Sequence, residues 1–326
     1  MKMNIQIPHL LEDYLNYMET IRGKSPNTIK AYKYDLVLLF RFLKIRFNMV
    51  QINATFEEIK INDINNDFIE KITLNDLYAF LSFLAKQRSN SQYARARKVA
   101  CIKSFFNYLD TKIKILDNNP ANELERPKIY SRHPVHLQLS EAQKLINSIE
   151  GIHKERDRAI IILFLNCGLR LSELTNIKID DIQGDTLRVI GKGNKERTVY
   201  LNNACLRAIK NYMRVRPNEG IKDPLALFIS QQKQQISQRT VQHLVKTQIE
   251  KAGLDSGKFS VHKLRHTAAT LMYKYGHVDI RALQQILGHE NISTTQIYTH
   301  IDDEQLRSAS QKNPLAEYEH AKEEIK

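Results

Sequence analysis

The segment LGHENISTTQIYTH (287–300) sets an imidazole, His289, nine residues before a phenol, Tyr298. His300 follows, and the small polar run Ser293-Thr294-Thr295-Gln296 lies between. A tyrosine ordinarily titrates near pH 10, so it attacks only when a neighbour takes its proton. Two readings stand at this point. Tyr298 is a half-buried packing residue and His289 a surface cap, or Tyr298 is a nucleophile and His289 helps hold what it attacks.

Three further stretches carry groups suited to an anion. In SVHKLRHTAATLMYKYG (260–276), His262 and Arg265 are three apart and project from neighbouring faces of one helical turn. A zinc reading would pair His262 with His266 at i, i+4. It lacks the glutamate of HExxH and any nearby cysteine or acid to complete the site. A phosphate suits the pair better, because arginine offers a rigid fork of donors and histidine can donate or accept one bond. The alternative for this segment alone is a helix with a solvated basic face. In CGLRLSEL, Arg170 follows a helix end at Gly168, and Glu173 at i+3 can orient its guanidinium. By itself that is a structural ion pair. GKGNKER is not a nucleotide loop, since it lacks the G-x-x-x-x-G-K-[ST] order and has strand-like runs on both sides. A hairpin tip bearing Lys192, Lys195 and Arg197 can enter a DNA groove or reach a phosphate; its alternative is an exposed turn with solvated lysines.

The elements that must position these groups are mostly helical. Leu11, Leu15 and Met18 recur at helical spacing over 8–22, and Gly23 ends that helix. Asn27 or Thr28 can cap the next, with Tyr32, Leu36, Leu39, Phe40 and Leu43 on its face. A third helix over 72–87 opens at Thr73 or Asn75. A fourth, over 89–111, has Val99, Ile102, Phe106 and Leu109 on its apolar face and Arg95, Arg97, Lys98 and Lys103 elsewhere. The stretch DNNPANELERPKIYSRHPVHLQLS holds three of the chain's eight prolines and no sustained periodicity, which marks a linker. Ser140 with Gln143 then matches a capping box. RDRAIIILFLNCG reads as a buried helix ended by Gly168. TLRVIGKGNKERTVYL reads as a hairpin, and further helices lead to the polar tail.

Chain-wide properties bound the answer. The 326 residues favour two domains. Apolar content of 42% and charged content of 26% are ordinary for a globular protein. A net charge of +13 and a pI near 9.5 point to a polyanionic partner, nucleic acid first and an acidic membrane surface second. Cys101, Cys167 and Cys205 are dispersed and form no CxxC pair, so they read as packing thiols in a reducing compartment. Acids interrupt the first twenty residues, which therefore do not read as a signal peptide, and no run of 18 apolar residues occurs. The expected location is cytoplasmic.

Taken in order, Arg170, Lys192, His262-x-x-Arg265, Leu287-Gly288-His289 and Tyr298 resemble the tyrosine recombinase (phage integrase) family. GLRLSEL, VIGKGNKER, HKLRHTAAT and LGHENISTTQIYTH look most like its bacterial Xer-type members. The resemblance is close over 136–305 and holds in kind over the N-terminal part, where SPNTIKAYKYDL stands. It implies a mainly α protein: a helical, SAM-like core-binding domain (1–115), a linker (116–135), a mostly α catalytic domain with a small β-hairpin or sheet (136–305), and a tail (306–326) that docks on a neighbouring subunit. The two domains would close as a clamp around DNA. The stretch between the second and third helices is longer than in a minimal Xer domain, and no counterpart of the arm-binding domain of many phage integrases is expected.

The implied chemistry is attack by Tyr298 Oη on a DNA phosphodiester, giving a 3′-phosphotyrosine and a free 5′-hydroxyl. Arg170 and Arg265 would clamp the non-bridging oxygens and His289 would donate a third bond; losing one such donor costs about 3–4 kcal/mol of barrier. His262 would be the base and Lys192 the acid, with Lys195 its rival. His266 would stand behind these residues. Arg95, Arg97, Lys98, Lys103, Lys195 and Arg197 are candidate DNA contacts. No cofactor or metal is implied. The partners implied are double-stranded DNA and a homo- or hetero-tetramer on two DNA sites, with a second recombinase or accessory protein and no membrane. Alternatives are an integrase of a mobile element, a type IB topoisomerase-like relaxing enzyme with the same chemistry, and a non-catalytic DNA-binding protein on this fold.

Overall fold

A computed structural model describes residues 6–51, 54–128, 135–276, 278–289 and 293–296. Tyr298, His300 and the tail fall outside these, as does the side chain of Lys192. The chain divides into two compact units, Met1–Ser131 and Arg132–Lys326. No helix among the described residues is long and apolar enough to cross a membrane.

The first unit is helical: α1 (His9–Thr20), α2 (Pro26–Arg46), α3 (Asn66–Glu70), α4 (Leu74–Lys86) and α5 (Gln92–Tyr108). Leu11, Leu15 and Met18 of α1 are buried as their spacing predicts, against Leu36, Leu39, Phe40 and Leu43 of α2 and Val99, Ile102, Phe105 and Phe106 of α5. The start of α2 differs from expectation. Ser25, not Asn27 or Thr28, is its N-cap, accepting the Thr28 amide at 3.3 Å, and Pro26 occupies the first turn, where a missing N–H costs nothing. α4 opens at Thr73, whose hydroxyl and amide pair reciprocally with Asp76. The long stretch between α2 and α3 is anchored: Lys44 Nζ bonds Asp63 at 2.7 Å and the Lys60 carbonyl at 3.0 Å, and Ile59, Ile61 and Ile64 are buried. Residues 116–124, expected in the linker, pack on this unit through buried Ala121 and Leu124, and Lys103 Nζ bonds the Asn122 carbonyl at 3.0 Å.

The second unit comprises α6 (Leu139–Asn147), α7 (Lys154–Cys167), α8 (Leu171–Thr175), strands β1 (Ile182–Gln183), β2 (Thr186–Ile190) and β3 (Glu196–Tyr200), then α9 (Asn203–Val215), α10 (Gln238–Lys251), α11 (Val261–Gly276), α12 (Ile280–Leu287) and α13 (Ser293–Gln296). After a charged first turn, α7 is apolar on nearly all sides from Ala159 to Leu165, because this is the buried central helix, packed by α9 and α11. α6 begins at Leu139, and the carboxylate that takes the first amide is Glu141, bonded to Gln138 N at 2.8 Å. The expected Ser140–Gln143 box is displaced by two residues, since a carboxylate is the stronger acceptor. The hairpin is part of an antiparallel sheet ordered β1-β2-β3. Leu187, Val189 and Val199 turn inward on it while Arg188, Ile190, Thr198 and Tyr200 face out.

Candidate active site

Gly168 ends α7 with a φ of +58°, and a Cβ there would lie 2.8 Å from Leu287 Cδ2. Only glycine allows α7 to stop there against the end of α12. The chain then turns into α8, bringing Arg170 to the helix start, where its amide donates to Glu173 Oε2 at 2.7 Å. From α11, Arg265 reaches the same spot: Nη1 donates to the Gly168 carbonyl and Nη2 to the Leu287 carbonyl, both at 2.6 Å. Arg170 Nη2 donates to the Gly288 carbonyl at 2.7 Å. The C-terminal carbonyls of α7 and α12, with helix-dipole charge, thus hold two guanidinium groups side by side.

Glu173 lies beneath them with its side chain fully buried. It accepts Arg170 Nη1 at 2.8 Å and both Arg197 Nη1 and Nη2, at 2.6 and 2.9 Å; Arg265 Nη1 is 3.8 Å away. Burial alone would raise this carboxyl, but the bonds from Arg197 and Arg170 overcome it and hold the pKa at about 2. The anion balances the arginines, which would otherwise repel one another in a site of low dielectric.

His289 follows Gly288, which closes α12 with a φ of +64°. Its Nδ1 is 2.9 Å from the hydroxyl of buried Thr295, and Gln284 Nε2 bonds its carbonyl at 2.9 Å. With Nδ1 engaged, the ring can meet a ligand through Nε2. Burial, and then Arg265, Arg170 and Arg197, lower its pKa to about 4. His262 sits in the first turn of α11, edge-on to His266 with ring centroids 4.5 Å apart. Burial followed by Arg265 lowers the His262 pKa, and burial followed by His262 lowers that of His266 to about 4.

Arg170, His262, Arg265 and His289 all line one cavity of about 530 Å3, with Lys246, Gln242 and Ser260 on its wall. Two arginines, a neutral imidazole able to take a proton and a second imidazole on a short turn form a receptor for a tetrahedral anion. The hairpin enters beside it: a Cβ on Gly191 would lie 3.5 Å from Glu173 Oε1. Lys192 is the next residue, at the hairpin turn. Among the described residues no cluster of three or more histidines, cysteines and acids could hold a metal.

The side chains of Arg95, Arg97, Lys98, Lys103, Lys195 and Arg197 do not line this cavity. Arg197, expected at the hairpin tip, points inward at 14% exposure. Lys98 is also inward, at 4% exposure and 2.9 Å from Asp35, because that carboxylate, itself 1% exposed, needs a cation. Arg97 shares Asp35 and stays partly exposed, Arg95 bonds the Asn90 carbonyl, and Lys195 stays exposed on the hairpin. Sequence reasoning missed the carbonyls of residues 168, 287 and 288 as arginine acceptors, and Thr295 as the partner of His289. The cysteines are free and buried, with Cys167 and Cys205 sulfurs 3.7 Å apart.

The phage integrase family matches residues 136–305, and the phage integrase N-terminal SAM-like domain matches 11–112. The tyrosine recombinase XerC of Caldanaerobacter subterraneus subsp. tengcongensis is 59% identical, over 96% of this chain and 89% of its own. The tyrosine recombinase XerD of Proteus mirabilis is 33% identical, over 93% and 92%. In fold the chain is similar to the XerH site-specific recombinase bound to palindromic difH substrate, with a TM-score of 0.68 at 21% identity over 95% of this chain and 98% of that one. With its helical SAM-like unit and small antiparallel sheet, this chain thus belongs to the phage integrase family, as a Xer-type tyrosine recombinase.

Proposed function

We propose that the protein cuts and rejoins double-stranded DNA at specific sites through a covalent bond to Tyr298. The observation that carries this reading is the convergence of Arg170, Arg265, His262 and His289 on one cavity. The Tyr298 oxygen attacks the scissile phosphorus and its proton passes to His262. The bond from phosphorus to the 5′-oxygen breaks, and Lys192 protonates the leaving oxygen. Arg170 and Arg265 neutralise the charge gathering on the non-bridging oxygens, with His289 as the third donor. The 3′-phosphotyrosine conserves the phosphodiester energy, so a 5′-hydroxyl from another strand reverses the attack without a nucleotide or a metal.

The wider reading follows from the chain's charge and its relatives. The net charge of +13 suits a DNA partner. Relatives of this fold are seen on DNA, among them a lambda integrase tetramer on a Holliday junction. Residues 1–115 and 136–305 act as a DNA-binding domain and a catalytic domain that close around the duplex, and four subunits work on two sites in the cytoplasm, with 306–326 docking on a neighbour.

Covalent trapping tests this. The protein is incubated with sheared DNA from its source, denatured in detergent, and the linked fragments are sequenced beside Tyr298→Phe. Linked fragments sharing one short site, and none from the variant, are expected. Equal linkage by Tyr298→Phe would overturn the assignment. Tight salt-sensitive binding with no linkage would favour a DNA-binding protein that does not use these residues.

A further inference from the structure

Arg197 does not line the cavity, yet it touches what holds the cavity's arginines. It stands on β3 opposite Val189, at an inward position shared with Val199. Its Nη1 and Nη2 fork onto both oxygens of Glu173, which in turn holds Arg170 Nη1. Its Nε donates to the Ile286 carbonyl at 3.2 Å. Its stem lies against Gly288, where a Cβ would come within 3.0 Å of Arg197 Cδ. The next two carbonyls along, those of Leu287 and Gly288, hold Arg265 Nη2 and Arg170 Nη2. One planar guanidinium thereby fixes both the carboxylate under the arginines and the helix end beside them.

We propose that Arg197 is a positioning residue for strand cleavage, holding Arg170 and Arg265 at the separation the two non-bridging oxygens require. The inference rests on the reading of the cavity as the phosphodiester site. It replaces the expectation that Arg197 contacts DNA, because its donors are directed into the protein. A lysine cannot substitute: an ammonium is a single point and cannot span both Glu173 oxygens while also reaching Ile286.

The test compares the full-length wild type with Arg197→Lys, Glu173→Gln and the double variant Arg197→Gln/Glu173→Gln, on a nicked duplex carrying the mapped site. Single-turnover formation of the covalent adduct and DNA Kd are measured together, and thermal melting reports folding. Arg197→Lys keeps the charge that balances Glu173, and the double variant removes both charges, so one of the two remains foldable. Adduct formation is expected to slow roughly 100-fold in Arg197→Lys, the scale of a displacement near 1 Å, with Kd unchanged. The double variant is expected to be no slower than Glu173→Gln, since the two act as one unit. The defect should persist on a duplex with sulfur at the 5′-bridging position, whose leaving thiolate needs no acid. Wild-type rates in folded Arg197→Lys, or additive losses, would overturn the proposal. Disappearance of the defect with the sulfur substrate would overturn it too, by showing that Arg197 acts through the Lys192 hairpin. Adduct from wild type but not from Tyr298→Phe establishes the underlying reading independently; no adduct from wild type removes both.

Discussion

Each unit buries a carboxylate under basic side chains, and the two clusters differ in what lies next to them. In the first, Asp35 is held by Arg97 and Lys98, and Lys98 is packed among the core residues of α5. In the second, Glu173 is held by Arg170 and Arg197 with Arg265 beside it, and Arg170 and Arg265 also border a cavity with two imidazoles on its wall. Burial and pairing are common to both, so neither marks a site. What distinguishes the second cluster is that its cations are braced from behind by carbonyls and a carboxylate while they remain beside an open cavity.

The largest expected effect falls on the first cluster and on stability alone. Asp35→Ala leaves Lys98 buried without its anion, which should cost about 3–5 kcal/mol of folding free energy. Denaturant titration would show it, while adduct formation per folded, DNA-bound molecule stays unchanged. Arg265→Ala should act on the reaction as well, beyond the stability lost when the Gly168 and Leu287 carbonyls lose their donor. The barrier to adduct formation should rise by about 3–4 kcal/mol with little change in DNA affinity, as read by single-turnover kinetics. Equal effects of both variants on the rate would erase the distinction between the clusters.

Acid should sharpen the contrast. The Glu173 carboxyl titrates at about 2 in the fold against an ordinary 4.5, so its pairing stabilises the protein fully above 4.5 and is lost as pH falls toward 2. His266 and His289 titrate at about 4 against 6.5. The unfolded chain takes up these protons first, so stability also declines as pH falls from 6.5 to 4. Burial first and then Arg265 and Arg170 hold the His289 imidazole low, and a bound phosphate would offset the arginine part and so raise its pKa. DNA binding should therefore take up protons between pH 4 and 6.5 and tighten as pH falls, seen by calorimetry in buffers of different ionisation enthalpy. Absence of proton uptake would place the phosphate away from His289. The smallest effect belongs to a cap remote from the cavity: Thr73→Ala should destabilise the first unit by about 1 kcal/mol and leave cleavage untouched.

Much of the site was legible because its residues announce themselves locally. Gly168 and Gly288 end helices, Arg170 and His289 follow them, His262 sits in the first turn of α11 with Arg265 three residues on, and the order of the motifs is specific. The rest depended on partners far along the chain. Asp35 and Lys98 meet only after folding, so Lys98 reads as a surface base in sequence. Arg197 had a usable signal, since alternation along β3 puts it on the inward face with Val199, but a basic residue beside a glycine-rich turn suggests solvent. The starts of α2 and α6 were misjudged because Ser25, Asn27 and Thr28, or Gln138 and Ser140, offer several adjacent caps, and a small difference in acceptor strength or a proline selects among them. Backbone carbonyls carry no sequence signature at all, which is why the acceptors of both arginines were invisible.

The proposed cleavage needs Arg170 and Arg265 to neutralise phosphate charge, and a substrate lacking that charge separates this role from a structural one. Single-turnover adduct formation by wild type and Arg265→Ala would be compared on a duplex whose scissile phosphate is replaced by a methylphosphonate. The defect seen on the natural diester should shrink toward unity, because the charge that Arg265 meets has been removed. An undiminished defect on the neutral substrate would mean that Arg265 serves the fold rather than the transition state, and would overturn its proposed role.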